Sequence, residues 1–271
     1  AVSCATITMP TPYAGCILRV DLSTRRTDTR ATADLAPRFL GGRGLATALY
    51  WDEVPATVPF DHPDNCVILA VGPLAGAPGG LGGARWGIFG KSPYPAPRHG
   101  GRDHFCYGNL GGRFGAELRF AGYDAVVIRG RADTPVVLVL EDQRVTLQPA
   151  DDLWGGTTVD TMAQLRDRTA PRSRFLAIGP AGENRVPLAT VFADGDASCS
   201  GGMGAVLGAK QLKAVAVRGT GRRVGVGDRE ALRRIDRQIR DYQRGNVKVW
   251  GMDFMEHDPH SKKAPCYGCM G

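Results

Sequence analysis

The sequence predicts an α+β fold, a β-rich domain built as a pseudo-twofold duplication, and three features of the chain predict it. A buried-strand segment ending in a turn occurs twice, a glycine-rich loop follows each time, and each loop leads to a second apolar strand closed by Arg-Gly. The first set is Val67-Ile68-Leu69-Ala70-Val71-Gly72-Pro73, then Gly111-Gly112-Arg113-Phe114-Gly115-Ala116, then Asp124-Ala125-Val126-Val127-Ile128-Arg129-Gly130. The second is Phe175-Leu176-Ala177-Ile178-Gly179-Pro180, then Gly201-Gly202-Met203-Gly204-Ala205, then Lys213-Ala214-Val215-Ala216-Val217-Arg218-Gly219. From glycine pair to closing glycine is 19 residues in one copy and 18 in the other. Chance likeness of Gly- and Val-rich segments does not account for agreement in both order and spacing.

The remaining elements fit around this frame. Cys16 to Leu22 alternates apolar and polar residues before a turn at Ser23-Thr24, a hairpin signal. Pro135 to Leu140, a turn at Glu141-Asp142 and Val145 to Leu147 make a second hairpin. Thr157 or Thr158 caps a helix reaching about Arg168, with Met162 and Leu165 facing inward. Asp228 caps a stronger helix in which Leu232, Ile235, Ile239 and Tyr242 recur at helical spacing, read as a core-facing stripe that stops at Gly245. The organisation expected is a domain over residues 12–220, with related halves at about 60–130 and 170–220, and a connecting helix and tail over 221–271.

Composition narrows the function classes. The chain has 271 residues, 43% hydrophobic and 23% charged, which suits a soluble globular protein with a real core. It has no run of about 20 apolar residues, so no membrane span is expected. Ala1 to Pro10 lacks a basic lead-in and makes a poor signal peptide. The net charge of +7 comes from scattered arginines such as Arg25, Arg43, Arg85, Arg113, Arg166 and Arg222. Nucleic-acid binding shows a basic stripe with stacking aromatics instead, so no nucleic acid is expected; one or two of these guanidinium forks suit an anionic ligand. Thirty-seven glycines without a Gly-x-y period serve tight turns or close approach of backbone to a ligand.

Seven cysteines, odd in number and mostly spread, do not form a disulfide framework and point to a reducing, cytoplasmic compartment. Only Cys266 and Cys269 are close, and alone they read as free thiols or half a zinc site. His257 and His260 stand near enough to complete a Cys₂His₂ set, while His99 and His104 read as loop residues.

Several stretches match one family in order: Gly41-Gly42-Arg43-Gly44-Leu45-Ala46, Gly72-Pro73-Leu74-Ala75-Gly76, Arg85 with Lys91-Ser92-Pro93, Asn109-Leu110-Gly111-Gly112-Arg113-Phe114-Gly115-Ala116-Glu117-Leu118 with Phe120-Ala121-Gly122-Tyr123-Asp124, Ile178 to Asn184, and Gly201 to Val206. Over nearly all of its length to Gly219, the chain resembles the N-terminal domain of the aldehyde ferredoxin oxidoreductase family. The resemblance implies a β-rich, pseudo-twofold base for a bis-pterin tungsten (or molybdenum) cofactor, with helical domains following that hold a [4Fe–4S] cluster. It implies oxidation of an aldehyde or related carbonyl, with electrons passing through the cluster to ferredoxin or another electron-transfer protein. A partner chain or further C-terminal domains would complete the site, and a homo-oligomer is a further expectation.

By position, the resemblance makes Arg85 a contact to pterin phosphate, and Asn109, Gly111 and Ala197 cofactor-binding positions around pterin and its bridging Mg2+. Cys266 and Cys269 match the first two cluster ligands; a four-iron cluster takes four thiolates, so the others would lie outside this chain. No catalytic residue is assigned, because the family's acid–base residues lie in the helical domains. One departure concerns the second half, where the family's Arg-Ala-x-Gly-Arg-Gly-Gly is replaced by Asp196-Ala197-Ser198-Cys199-Ser200-Gly201-Gly202. An aspartate facing a phosphate costs on the order of 1 kcal/mol or more. The competing expectations are a non-catalytic homologue serving as a structural or assembly subunit, and a small zinc- or redox-sensing protein built on the cysteine pair.

Overall fold

The computed structural model describes residues 12–77, 83–95, 100, 102–194, 197–221 and 227–246. The first half contains β1 (Cys16–Asp21), β2 (Arg26–Ala31), α1 (Ala36–Phe39), α2 (Gly42–Glu53), β3 (Val67–Val71), β4 (Trp86–Ser92), β5 (His104–Leu110), α3 (Phe114–Phe120) and β6 (Ala125–Arg129). The second contains β7 (Val136–Glu141), β8 (Arg144–Pro149), α4 (Thr158–Arg168), β9 (Arg174–Ala177), α5 (Pro180–Glu183), β10 (Val191–Ala193), β11 (Ala197–Cys199), α6 (Met203–Ala209) and β12 (Leu212–Arg218). Helix α7 (Arg229–Asn246) follows.

The strands form two six-stranded mixed sheets, ordered β2-β1-β6-β3-β4-β5 and β8-β7-β12-β9-β10-β11. Position by position the pairings agree: an antiparallel hairpin, one parallel pair (β1 with β6, β7 with β12), then antiparallel neighbours out to the last strand. The duplication therefore takes in both hairpins and the strand pairs β4–β5 and β10–β11, beyond the segments from which the sequence reveals it. Tight turns in the hairpins place Arg25 and Asp142 at positive φ, 56° and 50°. Thr157 caps α4 as expected, its hydroxyl accepting from the Asp160 amide, and Met162 and Leu165 are buried.

The sheets are layered around helices. Alternate residues of both sheets (Leu18, Leu69 and Val126 from one, Leu138, Leu176 and Val215 from the other) share a single core with Phe114 and Leu118 of α3 and Met203, Val206 and Leu207 of α6. The opposite face of the first sheet is covered by α2 through Leu45 and Leu49, and that of the second by α4. Both inner helices cross between halves: α3 packs on β3, β9 and β12, and α6 on β4 and β12. Lys210, 2% exposed at the end of α6, donates to the carbonyls of Pro63, Asn65 and Gly130 in the first half. Burial lowers its pKa to about 8.

Four features depart from the sequence reading. The stripe on α7 does not face a core, since Ile235 is 45% and Tyr242 68% exposed, although Asp228 caps the helix by accepting from the Glu230 and Ala231 amides. Periodicity reports an amphipathic surface, not what covers it. Helix α7 also runs through Gly245 to Asn246. Cys16 is disulfide-bonded, whereas Cys66, Cys106 and Cys199 are free thiols. His104 opens β5 and does not sit in a loop. Among the described residues, no helix is long and apolar enough to cross a membrane.

Candidate functional site

Strand alternation sorts β4 and β5 into two faces. Trp86, Ile88 and Leu110 point into the shared core, whereas Phe89 belongs to the α2 side. Register places Gly87 opposite Asn109 and Phe89 opposite Tyr107, so Gly87, Phe89, Tyr107 and Asn109 share the α2-side face. Beyond the end of α2 this face is open: Asn109 is exposed and Tyr107 is 41% exposed. The same alternation, continued one residue before β4, puts exposed Arg85 in the row. Arg85 makes no ion pair among the described residues.

Phe89 backs the Tyr107 ring at 6.0 Å between centroids, and the Arg43 guanidinium lies 4.0 Å from the Tyr107 ring centroid on the face of the ring. Arg43 arrives from the first turn of α2, which starts close against the turn after β3. A Cβ on Gly41 would sit 3.2 Å from Pro73 Cδ, and Gly42 has φ of 49°.

Ala197 begins β11, the edge strand of the second sheet, and β11 packs on β5, the edge strand of the first. The seam is interlocked. A Cβ on Gly108 would fall 1.7 Å from Cys199 Sγ, and one on Gly201 would fall 2.8 Å from Cys106 Sγ. Ser92 Oγ donates to the Gly201 carbonyl at 2.6 Å. Burial pushes the Cys199 thiol up to about 12, with Cys106 nearby adding to the shift, and burial raises Cys106 as well. Both are protonated, weakly reactive thiols at neutral pH. The structure thus brings Asn109 and Ala197 to facing edge strands.

Gly111 is buried, and its carbonyl accepts from Trp86 Nε1 at 3.0 Å. That hydrogen bond fixes the turn into α3. Asp194, just past β10, reaches across the seam and accepts from the Arg113 and Phe114 amides at the start of α3. Asp194→Ala is expected to cost about 1–2 kcal/mol, read as a lower urea midpoint with an unchanged slope. An unchanged midpoint would show that the cap carries no stability.

Cys266, Cys269, Asp196, His99, His257 and His260 lie outside the described residues. Among the described residues no three His, Cys, Asp or Glu side chains are gathered closely enough to hold a metal ion.

The model for the aldehyde ferredoxin oxidoreductase N-terminal domain matches residues 17–219. This chain belongs to the aldehyde ferredoxin oxidoreductase family. It is 38% identical over 227 residues to the tungsten-containing aldehyde ferredoxin oxidoreductase of Pyrococcus furiosus, covering 83% of this chain and 36% of that protein. It is 30% identical over 246 residues to an aliphatic sulfonate oxidoreductase, WOR-like subunit, of the same organism, covering 84% and 38%. Among solved structures, it is similar to a chain of the active-site complex BamBC of benzoyl coenzyme A reductase with 1,5-dienoyl-CoA. There the TM-score is 0.80 and the identity 33%, over 87% of this chain and 35% of that one. The chain spans little more than a third of the length of these relatives.

The aldehyde ferredoxin oxidoreductase fold thus presents Arg85 and Asn109 on one face, both exposed. Missing from the sequence reading were the strands that carry this face and the Arg43–Tyr107 stack. Gly41-Gly42-Arg43 stood in the matching set without a role, and Tyr107 lies two residues before Asn109, the spacing that puts both on one side of a strand.

Proposed function

We propose that this chain is the cofactor-bearing base of a tungsten- or molybdenum-dependent oxidoreductase, binding a metal–pterin on the face that carries Arg85 and Asn109. The observation that carries the reading is an exposed guanidinium without an ion-pair partner among the described residues, in one row with the exposed Asn109 amide. Arg85 would hold phosphate oxygens with its planar fork, and Asn109 would offer a donor and an acceptor to the polar edge of the heterocycle. The facing strands of Asn109 and Ala197 bring two backbone segments to one place, a source of carbonyl oxygens for a hard cation such as Mg2+. When bound, the metal–pterin supplies two-electron redox chemistry at a carbonyl carbon.

The residues on the platform bind and orient the cofactor; acid–base groups, the remaining ligands of a [4Fe–4S] cluster begun by Cys266 and Cys269, and the ferredoxin-type acceptor belong to further domains or a partner chain. Such a protein works in the cytoplasm. The substrate class is an aldehyde or a related carbonyl or acyl compound, in keeping with the redox names of its relatives.

A second reading, a structural or assembly subunit with a decayed site, draws on Asp196 and Ser200 standing where the family carries arginines. Elemental and pterin analysis of protein purified without oxygen, together with its natural continuation or partner, separates the two. Tungsten or molybdenum with one or two pterins per chain is expected, and metal- and pterin-free protein would favour the subunit reading. Arg85→Ala is expected to lower pterin content about ten-fold or more through loss of charge-assisted hydrogen bonds, and Asp196→Arg to raise it. Unchanged content in Arg85→Ala would remove this face as the site.

A further inference from the structure

We infer that Arg43, held on the ring of Tyr107, is a second anion-binding guanidinium of this face and fixes one end of the phosphorylated heterocycle; the inference rests on the cofactor reading above. Its grounds are geometric. Tyr107 and Asn109 are alternate residues of β5 and both are exposed on the α2 side. Arg43 sits 4.0 Å from the Tyr107 ring centroid, so the ring ties the guanidinium to this row without using its hydrogen bonds.

No carboxylate among the described residues pairs with Arg43, in contrast to Arg19, Arg129 and Arg218, each joined to an acidic side chain. A cation stacked at its plane and free at its edge is arranged for an incoming oxyanion. Arg43 and Arg85 then bracket Asn109 and Gly87 at the two ends of the row, roughly 13 Å apart along the strands. Between them stands the exposed Asn109 amide, with buried Gly87 opposite it under the Phe89 ring, an arrangement that suits a ligand with anionic oxygens at more than one point.

The second half makes the same demand from the other side. With Asp196 and Ser200 in place of two arginines, that half contributes less positive charge, and the first half supplies the second fork from its own α2. Tyr107 acts through Arg43. Removing the ring leaves the guanidinium on a long, freely rotating stem, and the entropy of ordering it is then charged to binding.

The test uses the full protein purified without oxygen from cells supplied with tungstate, with pterin released by iodine oxidation and measured by fluorescence per chain. Arg43→Ala is expected to lower pterin content about ten-fold, and Tyr107→Leu to lower it by a smaller factor. Arg144→Ala, which deletes an arginine side chain 74% exposed on the β7–β8 hairpin, controls for loss of one charge and should leave the content as it was. Arg43 is exposed, so an unchanged melting temperature separates a binding defect from a folding defect. If Arg85→Ala loses the pterin while Arg43→Ala keeps it, the inference falls and the cofactor reading stands. If the unaltered protein carries no pterin, both fall together.

Discussion

Lys213→Met is expected to destabilise the protein by about 3–5 kcal/mol, the cost of leaving one member of a buried ion pair without its partner. Lys213, on β12, has a fully buried side chain, and its ammonium donates to Glu183 Oε1 and to the Gly156 carbonyl, the latter at 2.8 Å. The Glu183 side chain is only 4% exposed, and its other oxygen accepts from the Gly155 amide at 2.9 Å. The pair ties α5 and the loop before α4 to the central strand of the second sheet. Its desolvation cost is offset by mutual attraction and by these backbone bonds, and deleting the lysine leaves a carboxylate facing protein. The double variant Lys213→Met with Glu183→Leu removes both charges and is expected to recover most of the loss. Denaturant midpoints of the four proteins give the coupling directly. A double variant no more stable than Lys213→Met alone would mean that the uncompensated charge is not the cause.

The second large effect is at the seam. Gly108→Ala should cost about 3 kcal/mol or leave the protein insoluble, because the added methyl would occupy the place of Cys199 Sγ and lie 2.9 Å from Cys199 Cβ. Rotation of the thiol relieves only the first contact. Cys199→Ala in the same chain should restore part of the stability, since it removes the sulfur but not the Cβ. Thermal melting decides the matter, and a Gly108→Ala protein that melts like the unaltered one would show that β5 and β11 separate easily.

These positions also show where the sequence speaks and where it is silent. Val67 to Val71, Ala125 to Arg129 and Leu212 to Arg218 are central strands buried on both faces, so they read as continuous apolar runs. Strands β4 and β5 escape notice because Gly87, Gly90 and Gly108 interrupt them, and glycine in a strand marks close approach of other atoms. Gly87 underlies the Phe89 ring, Gly90 faces the Cys66 carbonyl and Gly108 faces Cys199. The lysines at 91, 210 and 213 look like ordinary surface charges until the carbonyls and carboxylate around them are seen. Family motifs single out Arg85, Asn109 and Ala197. Only the pairing of β4 with β5 shows that Arg85 and Asn109 share a face with Tyr107, and only the packing of β11 on β5 brings the strand of Ala197 against the strand of Asn109.

The exchange of α3 and α6 between the sheets has a consequence for how such a protein came about. A single half, cut at the segment joining β6 to β7, would leave its inner helix without the part of its packing that the other sheet supplies, and Lys210 without its three acceptors. A half built this way would need a second copy to cover its inner helix, and the joined copies supply that cover within one chain. Once the copies were joined, each was released from symmetry. The two copies differ in sequence without loss of the mutual burial that keeps both folded.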